Sequence, residues 1–276
     1  MGMVPTDTLK FLFAFLKKES GLILDESKTY LVETRLEPIA KAEGCGSIDE
    51  LVRRLQLNDA AALRKKVIEA MTTNETSFFR DLTPFAVLKN TVLPGLAKTN
   101  AKTKRIRIWS GACSTGQEAY SIALTVSDVA DLAGWDVKIV GTDIAEKVLD
   151  RARAGVYTQH EVQRGLGVAH LVRYFTQQGT DWAAKPELRK CMQFRQLNIL
   201  GDFSSLGVFD VIFFRNILIY FDTATKKNIL DRMARAVSPS GVLFLGGTET
   251  PIGITDQWVR VKLDQGVIYK RRDAPT

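Results

Sequence analysis

The sequence predicts two parts of different class: an all-α N-terminal domain over 1–95 and an α/β domain over 96–276. The second is read as a doubly wound parallel sheet that ends in an antiparallel hairpin. Three observations predict this. Up to about residue 95 the apolar residues recur at helical spacing with no strand-like run. From Arg105 onward, short apolar β-branched runs alternate with helical patterns, which implies a parallel sheet covered on both faces. The last two runs, 258–263 and 267–271, are separated by Asp264-Gln265-Gly266 and read as a hairpin.

In the first part, helices are expected over Leu9–Lys17 and Tyr30–Ala42, stopped near Gly21 and Gly44. Ser47 to Glu50 forms a capping box that opens the run LVRRLQL. A helix over Asp59–Met71 follows, with Leu63, Val67, Ile68 and Met71 on one face. Thr83-Pro84 reads as an N-cap and first-turn proline, starting a helix expected to end before Pro94-Gly95. The polar, basic stretch LAKTNAKTKR marks the expected domain boundary. Beyond it, strands are expected at 105–109, 137–142, 193–197, 209–214, 242–246, 258–263 and 267–271, with helices at 117–132, 145–154, 168–175 and 223–237. The stretch at about 155–195 is too long for a loop in a compact domain and is read as a small inserted subdomain.

Composition permits a soluble enzyme without demanding one. The chain is 45% hydrophobic and 25% charged, both ordinary for a globular protein. No apolar run approaches the roughly 20 residues of a membrane span. The N-terminus lacks a signal-peptide core, so a cytoplasmic location is expected. The three cysteines form no C-x-x-C pair, which suits a reducing compartment. A net charge of +7 favours an acidic partner without choosing its kind.

The most informative segment is IRIWSGACSTGQE, Ile106 to Glu118. A strand runs into a loop from Gly111 to Gly116, and a helix starts at once. Glycines admit close approach of a ligand, and the helix start presents unpaired N–H groups. The next strand, VKIVGTD, ends on Asp143, placed to hold a ribose diol. The spacing departs from G-x-G-x-x-G, and Glu118 stands where a pyrophosphate would be repelled. A positively charged nucleoside without phosphates fits better, and S-adenosylmethionine is such a ligand.

Three motifs then point to one family: NETSFFR (Asn74–Arg80), SGACSTGQEAYS (Ser110–Ser121) and FDVIFFRNILIYFD (Phe209–Asp222). In this order and spacing they resemble the chemotaxis receptor methyltransferases, the CheR family, over essentially the whole chain. The resemblance implies a class I methyltransferase sheet with an antiparallel C-terminal hairpin and a small inserted β-subdomain, preceded by an all-α receptor-docking domain. It implies methyl transfer from S-adenosylmethionine to glutamate carboxylates on the cytoplasmic helical bundle of chemoreceptors, leaving S-adenosylhomocysteine, with no metal. It places Asn74, Thr76, Arg80, Glu118, Asp143, Asn198, Ile199, Phe214, Arg215 and Asn216 at the cofactor, and Arg80 and Tyr220 beside the transferred methyl. Some members bind a receptor C-terminal peptide on the subdomain by strand addition, and others work without one. A monomer is expected.

The chemistry agrees with these residue types. A glutamate carboxylate is already ionised near neutral pH, its reference pKa being roughly 4.3. No general base is needed, and the task is to aim an anion at a sulfonium methyl. His160 and His170 lack metal-ligand neighbours and read as ordinary surface or subdomain residues, and Cys113 lacks a basic neighbour that would make it a nucleophile.

The sequence departs from the family pattern in places. Gln117-Glu118-Ala119 stands for the usual Glu-Glu-Pro, and Phe214 for a commoner cysteine. The second helix carries only Lys28, Arg35 and Lys41 as basic residues, with Pro38 in its middle, which is expected to kink or restart it. Receptor docking is therefore expected to be weaker, or to use Arg53, Arg54, Arg64, Lys65 and Lys66. Two other readings remain: a methyltransferase of another substrate, and a non-catalytic S-adenosylmethionine sensor. An Asn-Pro-Pro-Tyr-type motif and aromatic–basic interleaving are both missing, which disfavours nucleic acid. Arg80 and Tyr220 would be superfluous in a sensor.

Overall fold

In the computed structural model, residues 4–57 and 59–274 are described. Ten strands follow in chain order: β1 Arg105–Gly111, β2 Asp136–Asp143, β3 Val156–Thr158, β4 Phe175–Gln178, β5 Asp181–Ala184, β6 Met192–Gln196, β7 Phe209–Phe213, β8 Val237–Phe244, β9 Trp258–Leu263 and β10 Gly266–Arg271. Seven of them form one sheet in the order β6-β2-β1-β7-β8-β10-β9. The pairs from β6 to β8 are parallel, and β10 lies antiparallel to both β8 and β9. The remaining three make a small antiparallel sheet, β3-β5-β4, within the 155–195 insertion. The fold class read from the sequence is the one found.

Alternation along the strands feeds two cores, one on each face of the sheet. Ile106, Ile108, Val211, Phe213, Val242 and Phe244 point to one, against the helix Gln117–Ser127 and the segment after Thr83. Trp109, Ile212, Phe214 and Leu243 point to the other, against the helix Thr223–Ala236. β1 and β7 are neighbours, but the chain leaves them in opposite directions, to β2 and to β8. Their C-terminal ends thus flank the switch point where open α/β sheets bind ligands.

Four helices, Thr6–Ser20, Thr29–Ala42, Ile48–Leu55 and Ala61–Met71, build a third core around Leu12, Leu16, Val32, Leu36 and Leu51. This bundle docks on the sheet domain through specific contacts. The Asn198 side chain donates to the Glu19 carbonyl at 2.6 Å, and the Ile23 N–H donates to the Tyr220 carbonyl at 3.0 Å. Lys17 pairs with Asp222 at 3.0 Å. Asp222 also accepts from the Thr225 N–H at the start of the helix it caps, and these contacts, the Thr225 bonds first, hold its carboxyl down at about 2. Gly21 ends the first helix in the left-handed region at φ 76°, and a Cβ there would stand 2.8 Å from the Phe221 ring.

The segment 83–99 packs its Phe85, Leu88, Leu93 and Leu96 into the sheet core. Three expectations need correction. The helix that starts at Thr83 does not end before Pro94. A π turn over Leu88–Val92 shifts the ladder so that Pro94 begins the next helix, Leu93–Thr99, where its missing N–H is not required. Pro38 does not restart its helix, which runs unbroken over Thr29–Ala42. The helix expected to reach residue 132 ends at Ser127, whose hydroxyl bonds back to the Leu124 carbonyl, and a separate 3-10 turn spans Ala130–Leu132.

Gly111, at the end of β1, is required by packing. A Cβ there would lie 2.7 Å from Cδ2 of Phe214, whose side chain is fully buried and cannot withdraw. Gly111→Ala is expected to lose about 1–3 kcal/mol of stability, read as a lowered urea midpoint; an unchanged midpoint would show that the ring yields.

Candidate functional site

The loop after β1 forms the floor of a pocket at the switch point. Ala112 and Ser114 stand at φ 55° and 50°, and Gly116 at φ 93° begins the helix Gln117–Ser127. Left-handed non-glycine residues are uncommon and gather at functional sites. The loop is held by the acid at the end of β2. One Asp143 oxygen accepts the Ser114 N–H at 2.9 Å and the other the Ala145 N–H at 3.0 Å. Burial pushes the Asp143 carboxyl above its ordinary value, and these backbone donors counter part of that rise. Each oxygen keeps a lone pair for a further donor.

Glu118, in the first turn of the following helix, accepts from the Ser110 hydroxyl at 2.7 Å and from Arg215 at 3.1 Å. Its carboxyl is also raised, chiefly by burial, with Arg215 acting against the rise. Arg215 follows β7 and its side chain is 2% exposed. It pairs with Asp81 at 2.6 Å and donates to the Arg80 carbonyl at 2.9 Å, while its Nε is buried without a partner. An orphaned guanidinium donor in one pocket with the buried carboxylates of Glu118 and Asp143 is a polarity pattern that a zwitterionic ligand would complete.

Two segments supply the facing wall. In the first, the Asn74 carbonyl accepts from the Ser114 hydroxyl at 2.8 Å, Thr76 lines the cavity, and Arg80 donates to the Glu75 carbonyl at 3.1 Å. In the second, Phe214, Arg215, Asn216 and Tyr220 succeed one another past the end of β7. Asn198 and Ile199, beyond β6, complete the lining. The pocket thus brings together all eleven residues singled out in the sequence: Asn74, Thr76, Arg80, Glu118, Asp143, Asn198, Ile199, Phe214, Arg215, Asn216 and Tyr220.

Several of these side chains also have structural duties. Besides its bond to Glu19, Asn198 accepts from the Leu200 N–H at 3.1 Å, and the Ile199 carbonyl accepts from Arg232 at 2.6 Å. Tyr220 packs against the core of the helical bundle. Residues that the sequence reading missed also line the pocket, notably Ser20 and Leu22 at the end of the first helix. Long-range contacts place them, namely Gly21 on Phe221, Ile23 on Tyr220 and Glu19 on Asn198, and no local motif announces these.

His160 is exposed, and His170 stacks on Phe79 and faces Asp128 at 3.2 Å. Burial pushes the Cys113 thiol well up, which disfavours a nucleophilic role although the residue lies in the pocket lining. Among the described residues no cluster of three His, Cys, Asp or Glu is placed to hold a metal, and no helix is long and apolar enough to cross a membrane. The basic residues considered for docking are engaged within the chain. Arg53 pairs with Asp49, Arg54 with Glu50 and Lys66 with Glu43, at 2.7, 2.6 and 2.6 Å. Arg64 donates to the Leu55 and Leu57 carbonyls, Lys65 to Gln196, and Arg35 to the Met71 and Thr72 carbonyls.

Removing Arg215 strands Glu118 as a buried, unpaired acid. Arg215→Met is expected to destabilise the chain by about 3 kcal/mol, and Glu118→Gln in that background to restore part of the loss. Equal denaturation midpoints for Arg215→Met and wild type would show that the pair contributes nothing.

Two family models match the chain in succession: the CheR methyltransferase all-alpha domain over residues 7–72 and the CheR methyltransferase S-adenosylmethionine-binding domain over residues 74–267. The chain is 42% identical over 264 residues to chemotaxis protein methyltransferase Cher2 of Pseudomonas putida, covering 94% of this chain and 95% of that protein. It is 43% identical over 265 residues to chemotaxis protein methyltransferase 1 of Pseudomonas aeruginosa, with the same shares, 94% and 95%. With chemotaxis protein methyltransferase 1 of Vibrio cholerae the identity is 38% over 260 residues, covering 93% of this chain and 94% of that protein. The chain therefore belongs to the CheR family of S-adenosylmethionine-dependent chemotaxis methyltransferases.

Proposed function

We propose that this protein methylates glutamate side chains on the cytoplasmic helical bundle of chemoreceptors, forming glutamate methyl esters in chemotactic adaptation. The observation that carries this reading is the meeting, in one pocket at the sheet's switch point, of two buried acids with Arg80, Arg215 and Tyr220. Asp143 would accept the ribose hydroxyls. Glu118 would face the ammonium group, and the free Arg215 Nε the carboxylate, of the cofactor's amino-acid end. Asn74, Thr76, Asn198, Ile199, Phe214 and Asn216 would enclose the rest. When bound, S-adenosylmethionine supplies an electrophilic methyl carbon on a positively charged sulfur.

The work left to the chain is positioning and electrostatics. Arg80 would neutralise and hold the receptor glutamate, and the Tyr220 hydroxyl would fix its direction. The glutamate oxygen gains the methyl, the carbon–sulfur bond pair stays on sulfur, and no proton moves. The pocket lining contains no histidine, in keeping with a nucleophile that is already ionised. The helical bundle reaches the pocket through Ser20 and Leu22 and would dock the receptor. Exposed pairs there, such as Arg53–Asp49, contribute little to stability and can exchange partners at small cost. A receptor C-terminal peptide would add at an edge of the β3-β5-β4 sheet. The protein is proposed to act as a monomer in the cytoplasm.

The test is methyl labelling of receptor cytoplasmic fragments, with calorimetry using S-adenosylhomocysteine. Base-labile label on glutamates and loss of cofactor binding in Asp143→Ala are expected. Tyr220→Phe is expected to slow transfer about tenfold to a hundredfold while cofactor binding persists. Cofactor binding without transfer to any receptor fragment would favour the sensor; base-stable label would point to another substrate.

A further inference from the structure

Glu249 lies outside every motif read from the sequence and does not line the pocket. It is nevertheless the anchor of the segment that closes it. Its carboxylate is buried and accepts four backbone N–H groups. Oε2 takes those of Gly246 at 2.7 Å and Asn216 at 2.8 Å, and Oε1 those of Ile217 at 2.8 Å and Leu218 at 2.7 Å. Three of the donors are consecutive residues between Arg215 and Tyr220. Successive amides turned toward one point make an anion-binding concavity, and here the anion is the chain's own side chain.

Two further observations show that this contact sets conformation. Asn216 stands at φ 58°, in the left-handed region, which a non-glycine residue keeps only where its surroundings hold it. Gly246 leaves the room that the carboxylate needs: a Cβ there would lie 2.7 Å from Glu249 Oε2 and 2.8 Å from Asn216 Nδ2. The turn at Asn216 places Arg215 on one side of it, paired with Glu118, and Tyr220 on the other, at the pocket wall.

We infer that Glu249 is a positioning residue for methyl transfer, holding the backbone of 216–218 so that Arg215 and Tyr220 face the pocket together. The inference rests on the methyltransferase reading. The bland alternative is that Glu249 merely closes its own turn, where its N–H donates to the Gly246 carbonyl at 2.9 Å.

Glu249→Gln keeps the shape but turns an amide NH2 toward N–H donors, while Glu249→Asp keeps the charge on a shorter stem. Three quantities decide: amide exchange at 216–218 against 211–213 in β7, the Kd for S-adenosylhomocysteine, and kcat on receptor fragments. In Glu249→Gln, exchange at 216–218 is expected to rise about tenfold or more with β7 still protected, and kcat to fall about tenfold or more. The Kd is expected to rise by less than kcat falls, and Glu249→Asp to lie between the two proteins. The inference is overturned if kcat stays within about twofold of wild type, or if exchange rises alike in β7 and the loop. Should Glu249→Gln fail to fold, Glu249→Asp carries the same comparison. A wild-type protein that methylates no receptor fragment defeats the parent reading instead. Local exchange and the Kd then decide whether Glu249 holds the segment.

Discussion

The buried guanidinium of Arg215 ties the site together. Three stretches distant in sequence meet on it: the start of the helix after β1 through Glu118, the strained loop Phe79–Leu82 through Asp81 and the Arg80 carbonyl, and its own strand end after β7. Without it, Glu118 would be a desolvated carboxylate with only the Ser110 hydroxyl, and Asp81, at φ 66°, would lose its ion pair. Breaking a pair of this kind costs more than its net formation contributes, since what remains is an uncompensated charge. Arg215 thus contributes to the placement of Arg80, because the carbonyl that Arg215 grips belongs to Arg80.

The helical bundle depends on the same region. Its first helix ends at Gly21, where only a glycine permits both the left-handed turn and the approach of Phe221. That approach brings the Ile23 N–H onto the Tyr220 carbonyl and Glu19 within reach of Asn198. The two domains thus meet on residues assigned to the cofactor and the methyl group. A bundle shifted by one helical turn would lose the cap, the carbonyl contact and the Lys17–Asp222 pair together, so the docking geometry is fixed at the site itself.

The strands were legible because alternating apolar residues serve two cores at once, and β1, β2, β6 and β7 lie within a residue or two of where alternation put them. Asp143 and Glu118 could be placed from the strand-loop-helix pattern, because acids at strand and helix ends need little tertiary context; the other residues that meet in the pocket were placed by the family resemblance. The packing partner of 83–99 was not legible. The apolar face of 83–99 looks the same whether it packs on a helix or on a sheet, and Pro94 hid the π turn that carries the helix past it. The internal engagement of the basic residues was hidden for a related reason. Arg35, Arg54 and Arg64 look like free charges in sequence, yet each donates to a backbone carbonyl that only the fold brings near. Glu249 gave no signal at all, since its four donors become neighbours only once β7 and β8 are paired.

The carboxylates explain why a cationic nucleoside suits this site. Asp143 and Glu118 are each raised by burial, so in the free protein their charged forms are under-compensated. A ligand that brings hydroxyl donors to one and an ammonium group to the other lowers both pKa values. Part of its binding free energy is then relief of that desolvation. A phosphate-bearing nucleotide would worsen the same imbalance. The helix start after Gly116, which elsewhere attracts anions, is here fitted with Glu118, an acid that disfavours a phosphate. Under the proposed function, what remains to be arranged is the direction of the incoming glutamate. In the proposed reaction, Arg80 and Tyr220 would provide this by geometry, without a group that must gain or lose a proton.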